Sequence, residues 1–267
     1  MKKNKTVAQY LEELVRFGKY HFLVEEISHI LGMKKSSVSV SLSRLSKKGK
    51  ILMIRKGFGI ITSVTSGPLD PSYFLNAMMN HLHSQYYVGL LNAASYRGAS
   101  HQAVMTYTVV ADKVLRPVNL KGLMITFITK KHFEEINQIE KVAGIGGYFN
   151  ISSPELTAID LVRFPKKSGH LSNIATVLSE LSEVMNLNKL KQISEQSLTP
   201  VSSLQRLGYI LDEILEEKKL ANCIHEVVIK RKMQLIPLSV ANKNKSHEKI
   251  KIDKKWNLII NTKVEPD

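Results

Sequence analysis

The chain has 267 residues, of which 43% are hydrophobic and 23% charged, with one cysteine and a formal net charge of +15. That length suits a small module joined to a larger one, and the apolar share excludes wholesale disorder and low-complexity fibres. No apolar run approaches the roughly 18 to 20 residues that cross a bilayer. A lone Cys223 excludes an internal disulfide and a cysteine zinc cage, and reads as a small buried hydrophobe. The start MKKNKTVAQYLEELVRF sets Glu12 and Glu13 where a signal peptide needs an unbroken apolar segment, so a reducing cytoplasm is the expected location.

The charge excess is uneven. Residues 1–66 hold 13 Lys plus Arg against 4 acids, and no Asp or Glu occurs from Ile27 to Leu69. Such a field favours a polyanion, although a solvated lysine face has the same composition. In TVAQYLEELVRF, Val7, Tyr10, Leu11, Leu14 and Val15 fall at helical spacing. A second helix brings Ile27, Ile30 and Leu31 inward and ends at Gly32. A third follows closely in KKSSVSVSLSRLSKKG, with Ser36 or Ser37 as N-cap, Val38, Leu42 and Leu45 as its apolar stripe, and Gly49 as its end.

The outer face of this third helix carries Lys35, Ser36, Ser37, Ser39, Val40, Ser43, Arg44 and Lys47. Small hydrogen-bonding groups beside long cations are the texture a helix needs to enter a major groove, where bulky or acidic groups are blocked or repelled. KILMIRKGFGIITS then reads as a β-hairpin with Arg55 and Lys56 at a basic tip. Helix, helix, turn, helix and hairpin together read as an N-terminal winged helix-turn-helix over residues 1–66, with double-stranded DNA as partner.

A linker is expected over 67–72, around Gly67 and Pro68, and a larger mixed α+β domain over 73–267. Asp70 caps a new helix with Pro71 at its first position, continued by FLNAMMNHLH, and SQYYVGLLNAASYRGAS reads as a helix ending near Gly98. AVMTYTVVAD and GLMITFITK alternate as strands do. SSPELTAIDLVRF starts a helix with Ser153 as N-cap and Pro154 in its first turn, SNIATVLSELSEVM, LNKLKQISEQ and SLQRLGYILDEIL are amphipathic, and IKIDKKWNLIIN reads as a terminal strand or arm. The class is therefore α+β.

Catalytic motifs are missing: there is no GxxxxGK[ST], GxSxG, HExxH or paired CxxC. Gly144, Gly146 and Gly147 follow EKVA and read as a turn. His81, His83 and His101 read as surface or packing histidines. Glu155 and Asp160 are spaced onto different faces of one helix, with Glu155 favouring the helix N-terminus through its dipole. No metal, cofactor or enzymatic activity is expected.

The motifs YYVGLLNAASYRG, SSPELTAIDLVRFP, QRLGYILDEIL and DKKWNLIIN, in that order behind the basic module, resemble the AbiEi family of antitoxins from bacterial abortive-infection toxin–antitoxin operons. The resemblance runs from about Thr6 to Asn261 on the domain sizes expected above. It implies a DNA-binding autorepressor whose C-terminal domain counters a nucleotidyltransferase toxin. It also carries over Ser153, Pro154, Glu155 and Asp160 from one family motif, Arg206, Gly208 and Tyr209 from a second, and Trp256 from the terminal one. Fold maintenance is the alternative role for each. The lysine-rich stretch 242–255 departs from the family pattern. Two protomers on an inverted repeat are expected, because one such module reads few base pairs. A nucleic-acid-processing enzyme delivered by a winged helix and a pure protein-interaction scaffold remain open at this point.

Overall fold

The computed structural model describes residues 5–62, 69–99, 106–120, 122–240 and 251–266. Gly67 and Pro68 of the expected linker, His101 and residues 242–250 of the lysine-rich stretch lie outside the described residues. In chain order the elements begin with α1 Val7–Arg16, β1 His21–Leu23, α2 Val24–Leu31, α3 Lys35–Lys47, β2 Ile51–Arg55 and β3 Phe58–Ile61. They continue through α4 Leu75–His81, β4 Tyr86–Val88, α5 Leu90–Tyr96, β5 Thr106–Ala111, β6 Val118–Asn119, β7 Met124–Thr129, β8 Ile139–Gly144 and β9 Gly147–Ser152. The remainder is α6 Pro154–Arg163, α7 His170–Ser182, α8 Leu187–Glu195, α9 Val201–Tyr209, α10 Lys218–Lys230, β10 Ile236–Pro237, β11 Lys251–Asp253 and β12 Leu258–Ile260. The fold is mixed α+β.

Among the described residues the strands form three sheets, in the orders β1-β3-β2, β6-β7-β5-β4-β9-β8 and β10-β12-β11. In the largest, β5 runs parallel to β7 and β4 parallel to β9, while β6 pairs antiparallel with β7. The chain divides into two compact units that are discontinuous in sequence. One comprises Met1–Tyr87, Met105–Lys131 and Lys141–Asn150, and the other Val88–Val104, His132–Glu140 and Ile151–Asp267. The expectation was of consecutive segments meeting at 67–72.

In the first unit α1 starts at a capping box, in which the Thr6 hydroxyl accepts from the Gln9 N–H and the Gln9 side chain accepts from the Thr6 N–H. Its stripe of Val7, Tyr10, Leu11 and Leu14 packs with Phe22, Ile27, Val38, Leu42, Ile51 and Ile61 into one core. Gly32 closes α2 at φ 61°, a left-handed conformation that disfavours a side chain. Two expectations are corrected here. Ile30 is 56% exposed rather than part of the core. The N-cap of α3 is Lys34, without a side-chain cap bond, so Ser36 and Ser37 lie inside the first turn with their side chains outward.

Asp70 caps as expected, its carboxylate accepting from the Ser72 N–H, but it opens only a 3-10 turn, Pro71–Tyr73, before α4. The run SQYYVGLL is not all helix, since Tyr86–Val88 forms a buried strand ahead of α5. EKVA belongs to β8, which Gly144 ends, and Ile145 and Gly146 make the turn into β9, which Gly147 begins.

The second unit is organised around α6, whose residues from Pro154 to Val162 are all buried. Ser153 caps it, its hydroxyl accepting from the Leu156 N–H. Helix α9 runs on into a π-helical turn, Ile210–Ile214, and then into α10, for which the sequence reading made no provision. The terminal segment is a hairpin of β11 and β12, with β10 added in parallel on β12.

Candidate functional site

The first candidate is the solvent face of α3. Lys35, Ser36, Ser37, Ser39, Val40, Ser43, Arg44 and Lys47 are all exposed, Val40 by 52%, whereas Val38 and Leu42 on the opposite side are buried. The expected residues thus share one continuous helix face. Back-bonding occupies part of it: the Ser39 hydroxyl donates to the Lys35 carbonyl at 2.8 Å and Ser41 to Ser37 at 3.1 Å, leaving hydroxyl lone pairs outward. The Lys35 ammonium lies 2.7 Å from Glu25, and its hydrogen bond, followed by its charge, lowers the Glu25 carboxyl below its ordinary range. Among the described residues Arg44 and Lys47 have no ion pair. A serine-rich ridge whose Arg44 and Lys47 are unpaired among the described residues, with Glu25 confined to its Lys35 end, is able to approach a polyanion and donate to its oxygens.

Arg55 and Lys56, taken together in the sequence, separate in the structure. Lys56 is exposed at the two-residue turn between β2 and β3. Arg55 is turned inward: its guanidinium donates to the Ile54 carbonyl at 3.0 Å and the Arg116 carbonyl at 2.6 Å, and lies 5.5 Å from the Phe127 ring centre. Burial lowers its pKa from the ordinary arginine value.

The second candidate is the set of family-motif residues, and the structure buries it. Ser153, Glu155 and Asp160 on α6 are buried, and Glu155 does more than face a helix dipole: its Oε1 accepts from the Asn186 N–H at 2.7 Å, joining α6 to the start of α8. Arg206 donates to the carbonyls of Leu238 at 3.0 Å and Pro237 at 3.1 Å, fixing the end of β10 in the terminal sheet. Gly208 lies under Trp256 so closely that an added Cβ would sit 2.0 Å from the indole Cζ3. Tyr209 is buried beside them.

The sequence reading did not single out the residue that ties this group together. Asp212, on the π-helical turn, is 1% exposed and receives the Trp256 indole N–H at 2.9 Å, Lys255 at 2.7 Å and Lys218 at 2.9 Å. Burial alone would raise its pKa; hydrogen bonds from Lys255, Lys218 and Trp256 outweigh that and lower it to about 2. Its only signal in sequence was its place inside QRLGYILDEIL. A comparable group joins Arg97 to Glu140, with Lys189 at 3.0 Å on the same carboxylate. These are clamps between helices and strands. Among the described residues no three His, Cys, Asp or Glu are grouped to hold a metal ion, and no helix is long and apolar enough to cross a membrane.

Comparison with known proteins agrees with the motif reading. A crystal structure of the RV2827C protein from Mycobacterium tuberculosis is similar, with a TM-score of 0.67 and 14% identity over 94% of this chain and 90% of that one, a likeness of fold. No curated protein matches the chain. The AbiEi antitoxin C-terminal domain family matches residues 87–213. That match spans just under half of the chain and supports an AbiEi-family antitoxin, a family that implies a toxin partner in general.

Proposed function

We propose that the chain is a sequence-specific DNA-binding autorepressor of its own toxin–antitoxin operon, and that its C-terminal domain neutralises a cognate nucleotidyltransferase toxin. The repressor half of this reading is carried by the face of α3. Eight exposed residues from Lys35 to Lys47 form an unbroken serine and cation ridge within a run of sequence that lacks any carboxylate. Helices α1 to α3 followed by the β2–β3 hairpin, in a sheet that β1 completes, have the composition and order of a winged helix-turn-helix, with α3 as the recognition helix. Residues 1–66 then hold the base-reading groups and residues 73–267 the antitoxin role, in a cytoplasmic binding protein that is not an enzyme.

Phosphate contacts by Lys47 and Lys56 give affinity, and Ser37, Ser39, Val40, Ser43 and Arg44 read base edges. Two protomers occupy an inverted repeat, which supplies the specificity that one short helix lacks. The toxin identity rests on family likeness alone. A salt-graded shift assay with a duplex spanning the operon's own promoter, against a random duplex of equal length, tests the first half. Tight, salt-dependent and promoter-selective binding supports it, and equal affinity for both duplexes refutes it. Co-expression with the toxin, read as growth, tests the second half.

A further inference from the structure

The β2–β3 hairpin is a short wing. Its strands are joined by Lys56 and Gly57 alone, and β1 pairs along β3 as far as Phe58, so little of the hairpin projects beyond its sheet. The turn is also gripped: the Val24 N–H donates to the Gly57 carbonyl at 3.0 Å and His81 Nε2 to the Lys56 carbonyl at 2.9 Å. Arg55, the other cation of the tip, is spent on carbonyls. Lys56 is left as the wing's single free cation among the described residues.

What Arg55 holds is the backbone of Arg116, in the loop between β5 and β6 of the same compact unit. That loop is rooted by the Lys113 ammonium, which donates to the carbonyls of Leu82 and His83. It carries Val114, 88% exposed, and its Arg116 side chain is exposed, with no hydrogen bond or ion pair among the described residues. The one carboxylate at its root, Asp112, accepts from the Ser84 hydroxyl. Asp112 is also the one acid in the sequence from Pro71 to Phe133, so the loop lies in a stretch otherwise free of Asp and Glu, as the run spanning α3 is.

We propose that the β5–β6 loop is the outer part of the DNA-contacting surface, with Arg116 as a phosphate-binding residue that lengthens the wing. The inference rests on the DNA-binding reading above and extends it to a loop inside the region matched by the antitoxin family. Arg55 acts as the positioning residue: it fixes Arg116 from the backbone side and leaves the guanidinium of Arg116 free to pair with a phosphate oxygen.

The test is salt-graded binding of the full chain to the promoter duplex and to the random duplex, comparing the native protein with Arg116→Gln, Arg116→Lys, Lys230→Gln and Arg44→Ala. Losing one phosphate contact removes about 0.9 from the slope of log affinity against log salt, which at 0.1 M salt is roughly an eight-fold weaker affinity. Arg116→Gln is expected to show that loss on both duplexes, with its thermal midpoint unchanged because the side chain it replaces is unbonded. Arg116→Lys is expected to retain most of the slope. Lys230→Gln, an exposed cation of the other unit, is expected to leave the slope alone. If the native chain binds and Arg44→Ala weakens it while Arg116→Gln keeps the native slope, the loop proposal is overturned and the repressor reading stands. A native chain that binds neither duplex overturns both.

Discussion

Replacing Asp212 with asparagine keeps the shape of a buried side chain and removes the charge that three donors are built around. The native carboxyl titrates at about 2 against an ordinary 3.8. At roughly 1.36 kcal/mol per unit, the folded state favours the charged form by about 2 kcal/mol. The lysine ends that supply two of the donors are 58% and 38% exposed, so added salt should erode part of that figure. Because the folded-state pKa is depressed, the unfolded chain binds more protons between pH 4 and pH 2. The contribution is therefore complete above about pH 4, falls to about half near pH 3, and is lost as pH drops through about 2. Trp256 is the chain's one tryptophan and donates directly to this carboxylate, so its fluorescence reports the unfolding of this unit. Urea titrations should place Asp212→Asn about 2 kcal/mol below the native chain at pH 7, with the gap shrinking toward pH 3. A gap under about 0.5 kcal/mol at pH 7, or one that does not change with pH, would refute the account of Asp212 as a charged clamp.

Three other perturbations have expected outcomes. Gly208→Ala places a methyl group inside the indole ring's space, and should cost at least the roughly 1 to 3 kcal/mol of core overpacking, with a shift in Trp256 emission. Arg44→Ala should lose about 1 to 3 kcal/mol on promoter DNA and little on random DNA if it contacts a guanine edge, whereas equal losses would make it a phosphate contact. A fragment of residues 1–66 lacks His81, Phe127 and the Arg116 carbonyl, which hold the wing and Arg55. It is expected to bind the promoter more weakly than the full chain and with a shallower salt slope, and matching affinities would show that the wing needs none of them.

The parts of the fold legible in the sequence are those whose signals are local. Helix α1 announces itself through Val7, Tyr10, Leu11, Leu14 and Val15 at helical spacing, and α6 through Ser153 and Pro154. Strand β1 has three residues, too few to display a period, and exists because β3 is there to pair with it. Tyr86, Tyr87 and Val88 are all buried, so they show no alternation and merge with the helix that follows. Helix α10 opens at Glu217 with no side-chain cap bond, directly after the π-helical turn, so no capping residue marks where it begins. The face of α3 was legible because exposure and the absence of acids are properties of one segment. The Asp212 clamp was not, because its partner Trp256 is 44 residues away and nothing local says which lysines will reach it.

Burial of the motif residues changes what the family pattern can be asked. Glu155, Arg206, Gly208, Tyr209 and Trp256 join α6, α8, α9 and the terminal sheet to one another, and none presents a surface wide enough to meet a protein. Substituting them reports on whether the unit folds, so a loss of toxin neutralisation in such variants would not locate the toxin. Any surface by which the proposed antitoxin role is exerted would be made of residues outside the motif, which sequence pattern alone does not mark. The matched stretch, 87–213, also contributes β5, β6 and β7 to the compact unit that holds α3, while α6 to α9 belong to the other. A boundary drawn at residue 66 therefore cuts through a unit rather than between two. Arg55 is the clearest instance: by sequence it belongs to the basic module, and by its hydrogen bond it holds a loop of the matched antitoxin region.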